Sequence, residues 1–101
     1  MCGIAGATWT EPSRAINIET LGRMTGLLSH RGPDDEGFYL DRNIALGHRR
    51  FSIIGVADGR QPISNEDGSI QIVFNGEVYN YLELRRELEA AGHRFTTHTD
   101  T

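Results

Sequence analysis

Cysteine occurs once in this chain, as Cys2. That excludes an internal disulfide and suits a reducing compartment. No apolar run approaches the ~18 residues that a membrane-spanning helix needs, and no basic stretch followed by a long apolar one opens the sequence. Cys2, not glycine, follows the initiator methionine, which closes the myristoylation route to a membrane. A cytoplasmic protein is expected. Basic residues are outnumbered, 10 against 14 acidic ones, for a net charge of −4, and they are scattered. Nucleic-acid binders carry clustered basic patches, so neither nucleic acid nor an anionic membrane is an expected partner. The four histidines do not combine with Cys2 in a ligand spacing, and no metal site is expected. Internal repeats and low-complexity tracts are absent.

With 38% hydrophobic and 24% charged residues in a length of 101, the composition is that of an ordinary globular protein. One small domain fits, burying roughly two-thirds of its unfolded surface; two do not. Residues 3–9 read as a first strand, and 10–15, with Pro12, as a loop. Ile18, Leu21, Met24, Leu27 and Leu28 repeat at helical spacing, with Asn17 as N-cap and Glu19 in the first turn. Gly22 and Gly26 weaken that helix unless the core contact compensates or a neighbour packs close against them. Two strands, 36–40 and 44–48, flank an Asp41-Arg42-Asn43 turn, and 51–54 reads as a continuation or a third strand. Residues 55–68 are loop. Alternation of Ile70, Ile72 and Phe74 predicts another strand. Asn80 and Glu83 have capping-box spacing, ahead of a helix with Tyr81, Leu84, Leu88 and Ala91 on one face and Gly92 at its end. Residues 94–99 read as a last strand. Consecutive strands with segregated helices predict an α+β fold with a largely antiparallel sheet. The sequence stops straight after that strand, which gives the expectation of a truncated chain.

The chemistry starts at Cys2. If Met1 is removed, its thiol sits beside a free α-amine. Ordinary cysteines titrate near ~8.5 and α-amines near ~7.7–8.0, so one residue would supply nucleophile and base, as N-terminal amines do for neighbouring nucleophiles. The side chain is small enough for methionine removal, and Gly3 leaves the backbone open. The plainer alternative is a small buried hydrophobe. His30-Arg31-Gly32-Pro33-Asp34 reads as a turn, and the acids Asp35 and Glu36 as part of a solvated loop. Arg49 and Arg50, at a strand end, offer a forked grip on a carboxylate; alternation lets only one face a given pocket, and it leaves open which, as it leaves open a solvated edge. Phe74-Asn75-Gly76-Glu77-Val78-Tyr79-Asn80 carries the Asn-Gly hairpin signal, but too few residues follow for a return strand. The alternative is an oxyanion site, with the Asn75 amide and the Gly76 N–H donating together. Asp100 could receive an ammonium group.

Taken in order, Cys2-Gly3-Ile4-Ala5-Gly6, Arg31-Gly32-Pro33-Asp34, His48-Arg49-Arg50-Phe51-Ser52-Ile53, Gln61-Pro62, Phe74-Asn75-Gly76-Glu77-Val78-Tyr79-Asn80 and Thr99-Asp100-Thr101 resemble the class II glutamine amidotransferase domain of the glutamine-hydrolysing asparagine synthetases. The resemblance spans the chain. It implies an N-terminal-nucleophile hydrolase fold, four layers in αββα order with stacked antiparallel sheets, of which residues 2–101 are the first part. It implies Cys2 as nucleophile, Asn75 and Gly76 as oxyanion hole, and Arg50 as partner of the glutamine α-carboxylate. The backbone of Phe51, Ser52, Ile53 and Ile54 would line the pocket, and Glu77 and Asp100 would receive the α-ammonium. L-glutamine is then the substrate, and this part needs no cofactor. Ammonia would pass to a synthetase domain of the parent chain, where ATP and Mg²⁺ activate aspartate; the full-length parent has room to be a homodimer. Phe51 stands where the family commonly has Leu, and Thr99 where it commonly has Ser. Two other readings stand beside this one: an amidotransferase of a related synthetase with another acceptor, and an inactive interaction module whose exposed sheet edges seek a partner.

Overall fold

The computed structural model describes residues 1–51 and 58–101. Strand β1 (Gly3–Thr8) alternates buried or half-buried Gly3, Ala5 and Ala7 with exposed Ile4, Gly6 and Thr8, the period-two pattern of a strand with one covered face. A short 3-10 turn at Pro12–Arg14 leads to helix α1 (Ile18–Gly26). The Asn17 side chain caps it, accepting from the Thr20 N–H at 2.8 Å, as its position before the periodic run predicts. Strands β2 (Asp35–Asp41) and β3 (Ile44–Arg50) form a hairpin. Its corner is held by Asp41, which accepts from the Arg42 N–H at 2.7 Å and from the Tyr39 hydroxyl at 2.9 Å. The three strands pair antiparallel in the order β1-β3-β2, and β4 (Ile63–Ser64) and β5 (Gln71–Ile72) form a separate antiparallel pair. Helix α2 (Tyr81–Ala90) follows. Mixed α and β structure with antiparallel sheets is what the strand order predicts.

Because β3 lies in the middle, its two faces set the layers. Ala45 and Gly47 face α1, where Leu21 and Thr25 are fully buried. A Cβ on Gly47 would overlap the Thr25 hydroxyl, so glycine there is what lets helix and strand approach. His48, one residue on, points to the opposite face and is 1% exposed. Thr25 is satisfied within its own helix, donating to the Leu21 carbonyl at 2.8 Å.

Several local expectations are corrected. Helix α1 ends at Gly26, and successive tight bonds from Leu28 to Thr25 and from Ser29 to Gly26 turn the chain out of helical register, leaving Leu27 78% exposed. The strand expected over 70–74 is only Gln71–Ile72, and its partner β4 lies inside the stretch expected to be loop. Gly68, with φ +76°, closes that hairpin; the hairpin signal belonged to Asp67-Gly68 and not to Asn75-Gly76. The capping box at Asn80 does not form: with φ −98° and ψ 24° the backbone is not extended, and the side chain makes no cap bond, because a Tyr81 N–H to Val78 carbonyl turn runs straight into the helix. No strand forms over 94–99. The backbone there is held by side chains instead, the Thr97 carbonyl accepting from Arg85 at 2.6 Å while the Arg85 guanidinium lies 4.8 Å from the Phe95 ring centre. Of the expected 51–54 strand, Phe51 lies outside β3 and residues 52–54 lie outside the described residues.

The buried apolar core among the described residues is Leu21 and Ala45, smaller than the composition predicts. The α2 face meant for the core stays open, with Leu84 and Leu88 exposed and Tyr81 half-buried. A Cα radius of gyration of 14.9 Å exceeds the ~13 Å of a chain this long folded round one core.

Among the described residues nothing lies within 4 Å of a Cβ built on Gly22, so no neighbour requires its bareness. Gly22→Ala is expected to stabilise the protein by about 1 kcal/mol, read as a raised thermal midpoint; a lowered one would mean a partner covers that face. A pH dependence follows from His48. Burial lowers its pKa below the ordinary 6.5, helped by the Arg50 charge and opposed by the Phe74 carbonyl and by Asp35. The folded state thus holds the neutral ring, and the contribution is fully present above about pH 6.5 and declines as pH falls below it. Denaturant midpoints are expected to drop between pH 7.5 and 5 more in the parent than in His48→Gln, which keeps a donor and does not titrate there; equal slopes would contradict this.

Candidate active site

On the sheet face opposite α1, one cavity of about 660 Å³ is lined by Cys2, Arg50, Phe51, Asn75, Gly76, Glu77 and Asp100. Its volume is in the ~300–1,000 Å³ range of small-molecule sites. Every described residue that the sequence nominates therefore borders a single space, although they come from sequence-distant segments. Ser52, Ile53 and Ile54 lie outside the described residues.

Each wall has an anchor. The Cys2 carbonyl accepts from Arg31 Nε at 3.1 Å, so the segment read as a plain turn orients the N-terminus. Cys2 is half-buried and its thiol is free. Met1 also borders the cavity. At the end of β3, Arg49 turns away: its Nε donates to the Gly32 carbonyl at 2.8 Å and its terminal nitrogen meets Glu36 at 2.9 Å. Arg50 is the one that lines the cavity. Alternation along the strand requires that opposition, and the tertiary partners decide its sense.

The Asn75-Gly76 segment is packed by its own neighbour, since a Cβ on Gly76 would meet the Phe74 ring. Behind it, Phe74 N–H donates to Gln61 Oε1 at 2.6 Å. Asp100 accepts from the Val78 N–H at 2.8 Å, which fixes the carboxylate beside the loop that carries Glu77. At the rim, Asp58 accepts from both the backbone N–H and the ring Nδ1 of His98, each at 2.8 Å, and these bonds hold its carboxyl below the usual range. His98 borders the cavity with Gly59, Thr99 and Thr101.

Chemically the cavity joins a thiol, one guanidinium, an amide with an adjacent backbone N–H, and two carboxylates. A cation for a carboxylate and acids for an ammonium suit an α-amino acid, while a thiol with oxyanion donors suits acyl transfer from a carboxamide. Arg31 and Gln61 are the residues whose roles sequence reasoning missed. Both stand in segments that carry the family resemblance, and that was the available signal.

Known proteins resemble this chain along its whole length. The family model of a glutamine amidotransferase domain matches residues 1–101. Asparagine synthetase [glutamine-hydrolyzing] 1 of Bacillus subtilis (strain 168) is 47% identical over 103 residues, covering 100% of this chain and 16% of the relative. A second B. subtilis protein, asparagine synthetase [glutamine-hydrolyzing] 2, is 41% identical over 102 residues, covering 99% of this chain and 13% of the relative. The probable asparagine synthetase [glutamine-hydrolyzing] of Dictyostelium discoideum is 41% identical over 102 residues, covering 99% and 18%. The chain thus spans less than a fifth of the length of these relatives. With the family model matching end to end and the expected site residues gathered around one cavity, the chain belongs to the glutamine amidotransferase domain family.

Proposed function

We propose that this chain is the glutamine-hydrolysing part of an asparagine synthetase. The observation that carries the reading is the convergence of Cys2, Arg50, Asn75, Gly76 and Asp100 on one cavity. Removal of Met1 exposes the α-amine of Cys2, which takes the thiol proton as Sγ attacks the side-chain carboxamide carbon of glutamine. The carbonyl oxygen becomes an oxyanion that receives hydrogen bonds from the Asn75 amide and the Gly76 N–H. The proton passes to the leaving nitrogen, the C–N bond breaks, ammonia departs, and a γ-glutamyl thioester remains on Cys2. Water then adds to the thioester, releasing glutamate and restoring the thiol. Arg50 grips the α-carboxylate by a forked pair of charge-assisted bonds, and Glu77 and Asp100 hold the α-ammonium. Phe51, just past the end of β3, forms part of the pocket wall.

These residues belong to a larger N-terminal-nucleophile hydrolase fold, in which stacked antiparallel sheets sit between helix layers. Exposed apolar side chains on α2 (Leu82, Leu84 and Leu88) and on the three-stranded sheet (Ile4, Phe38 and Leu40) are consistent with further layers in the complete protein. Ammonia serves ATP-dependent amidation of aspartate elsewhere in that protein, in the cytoplasm. ATP and Mg²⁺ would act there, apart from the glutamine-hydrolysing residues. Among the described residues no cluster of three or more His, Cys, Asp or Glu side chains is arranged to hold a metal ion.

Steady-state assays on the intact protein test the roles separately. Cys2→Ala is expected to remove glutaminase activity by at least about 10³-fold while leaving ammonia-dependent asparagine formation in place. Asn75→Ala should lower kcat about 10²–10³-fold. Arg50→Ala should act mainly on KM, raising it roughly 10–100-fold through loss of a charge-assisted pair. Unchanged turnover in Cys2→Ala would overturn the mechanism, and glutamine-dependent amidation of an acceptor other than aspartate would reassign the synthetase.

A further inference from the structure

Phe74, immediately before Asn75, has both backbone polar groups taken by buried side chains from elsewhere. Its N–H donates to Gln61 Oε1 at 2.6 Å, and its carbonyl accepts from His48 Nε2 at 3.3 Å. His48 is 1% and Gln61 7% exposed. A carbonyl only accepts, so Nε2 of His48 carries the proton; an N–H only donates, so the Gln61 oxygen faces Phe74. That leaves the Gln61 amide nitrogen to reach Thr101 Oγ1, at 3.3 Å, in the residue next to Asp100. Gln61 therefore bridges the segment of Asn75 and Gly76 to the segment of Asp100.

Both side chains are referenced to the same point of the sheet. Gly37 is the cross-strand partner of His48 in the β2–β3 pair, and the Gln61 carbonyl lies so close to Gly37 that a Cβ there would overlap it. The next guanidinium, that of Arg60, fastens this segment to the β2 edge by donating to the Glu36 carbonyl at 2.9 and 3.2 Å. Buried polar side chains fully matched to backbone groups hold a loop in one geometry, and any partner left unmatched costs the desolvation of that group.

We propose that His48 and Gln61 are positioning residues for glutamine hydrolysis. They clamp the Phe74 peptide from its two sides and so fix the Asn75 and Gly76 donors relative to Cys2, while Gln61 sets the distance from those donors to Asp100. The inference rests on the glutaminase reading above. Neither side chain touches the reacting atoms; each acts through the placement of the oxyanion donors, where an error near 1 Å costs about 10²-fold in rate.

The test uses the intact protein and pairs each disruptive variant with a conservative one. Gln61→Met keeps length without an acceptor, and Gln61→Glu keeps the acceptor. His48→Leu removes the donor, and His48→Gln supplies one. The clamp predicts that Gln61→Met and His48→Leu lower kcat about 10–100-fold with KM for glutamine changed less than about threefold. Gln61→Glu and His48→Gln should recover most of the loss. Alkylation of Cys2 by iodoacetamide, which needs no oxyanion donors, should proceed at the parental rate in all four. Parental kcat in Gln61→Met and His48→Leu would overturn the proposal. So would losses that the conservative variants share and that alkylation follows, since these mark a merely structural role. A parent protein without Cys2-dependent glutaminase activity would overturn the functional reading itself, and the clamp with it.

Discussion

The alternation of side chains along the central strand β3 is the constraint on which the remaining structure depends. Paired on both edges, this strand cannot rotate or slip without breaking two ladders. Ala45 and Gly47 must then face the helix, and His48 and Arg50 the opposite side, where Arg50 lines the cavity and His48 lies buried against the Phe74 carbonyl. A one-residue slip would send His48 into the α1 interface, where Leu21 and Thr25 leave no room for it. The sheet thus acts as a partition, with packing on one side and chemistry on the other.

On the chemical side, polar contacts do what apolar burial does on the other. Two fully buried hydrophobic residues among those described are too few to hold the 58–62 and 74–78 segments and the C-terminal stretch. Instead Arg31 reaches the Cys2 carbonyl, Gln61 and His48 reach the Phe74 peptide, and Asp100 reaches the Val78 N–H. Such bonds are directional, and a site that must aim donors at a developing charge benefits from direction more than from bulk. All buried side-chain nitrogens and oxygens among the described residues have a partner, which a polar scaffold requires if it is not to be destabilising.

Local signals were legible where the cause is local. Helix α1 with its Asn17 cap and the β2–β3 hairpin follow from spacing and turn chemistry, and the structure has them. Two of the failures depend on distant partners. The expected strand over 94–99 is replaced by a segment tied down by Arg85 and Asp58, and side chains so far away leave no periodic trace. Asn75-Gly76 carries a hairpin signal but sits where Phe74 is held by two remote side chains, so tertiary bonds override turn preference. The site was legible mainly through the resemblance: position by position it nominated Cys2, Arg50, Phe51, Asn75, Gly76, Glu77 and Asp100, which border the cavity, while periodicity left Arg49 and Arg50 equivalent. Arg31 and Gln61 act through backbone groups, and a side chain bonded to a peptide leaves little mark in residue type.

The central claim is that Cys2, once N-terminal, is a nucleophile in a glutamine-shaped site. Intact-mass spectrometry of the purified protein, before and after exposure to a glutamine-like electrophile and with glutamine as competitor, tests it most directly. The account predicts a mass lacking Met1 and one adduct on Cys2 that excess glutamine suppresses. A retained Met1, or labelling indifferent to glutamine, would contradict it.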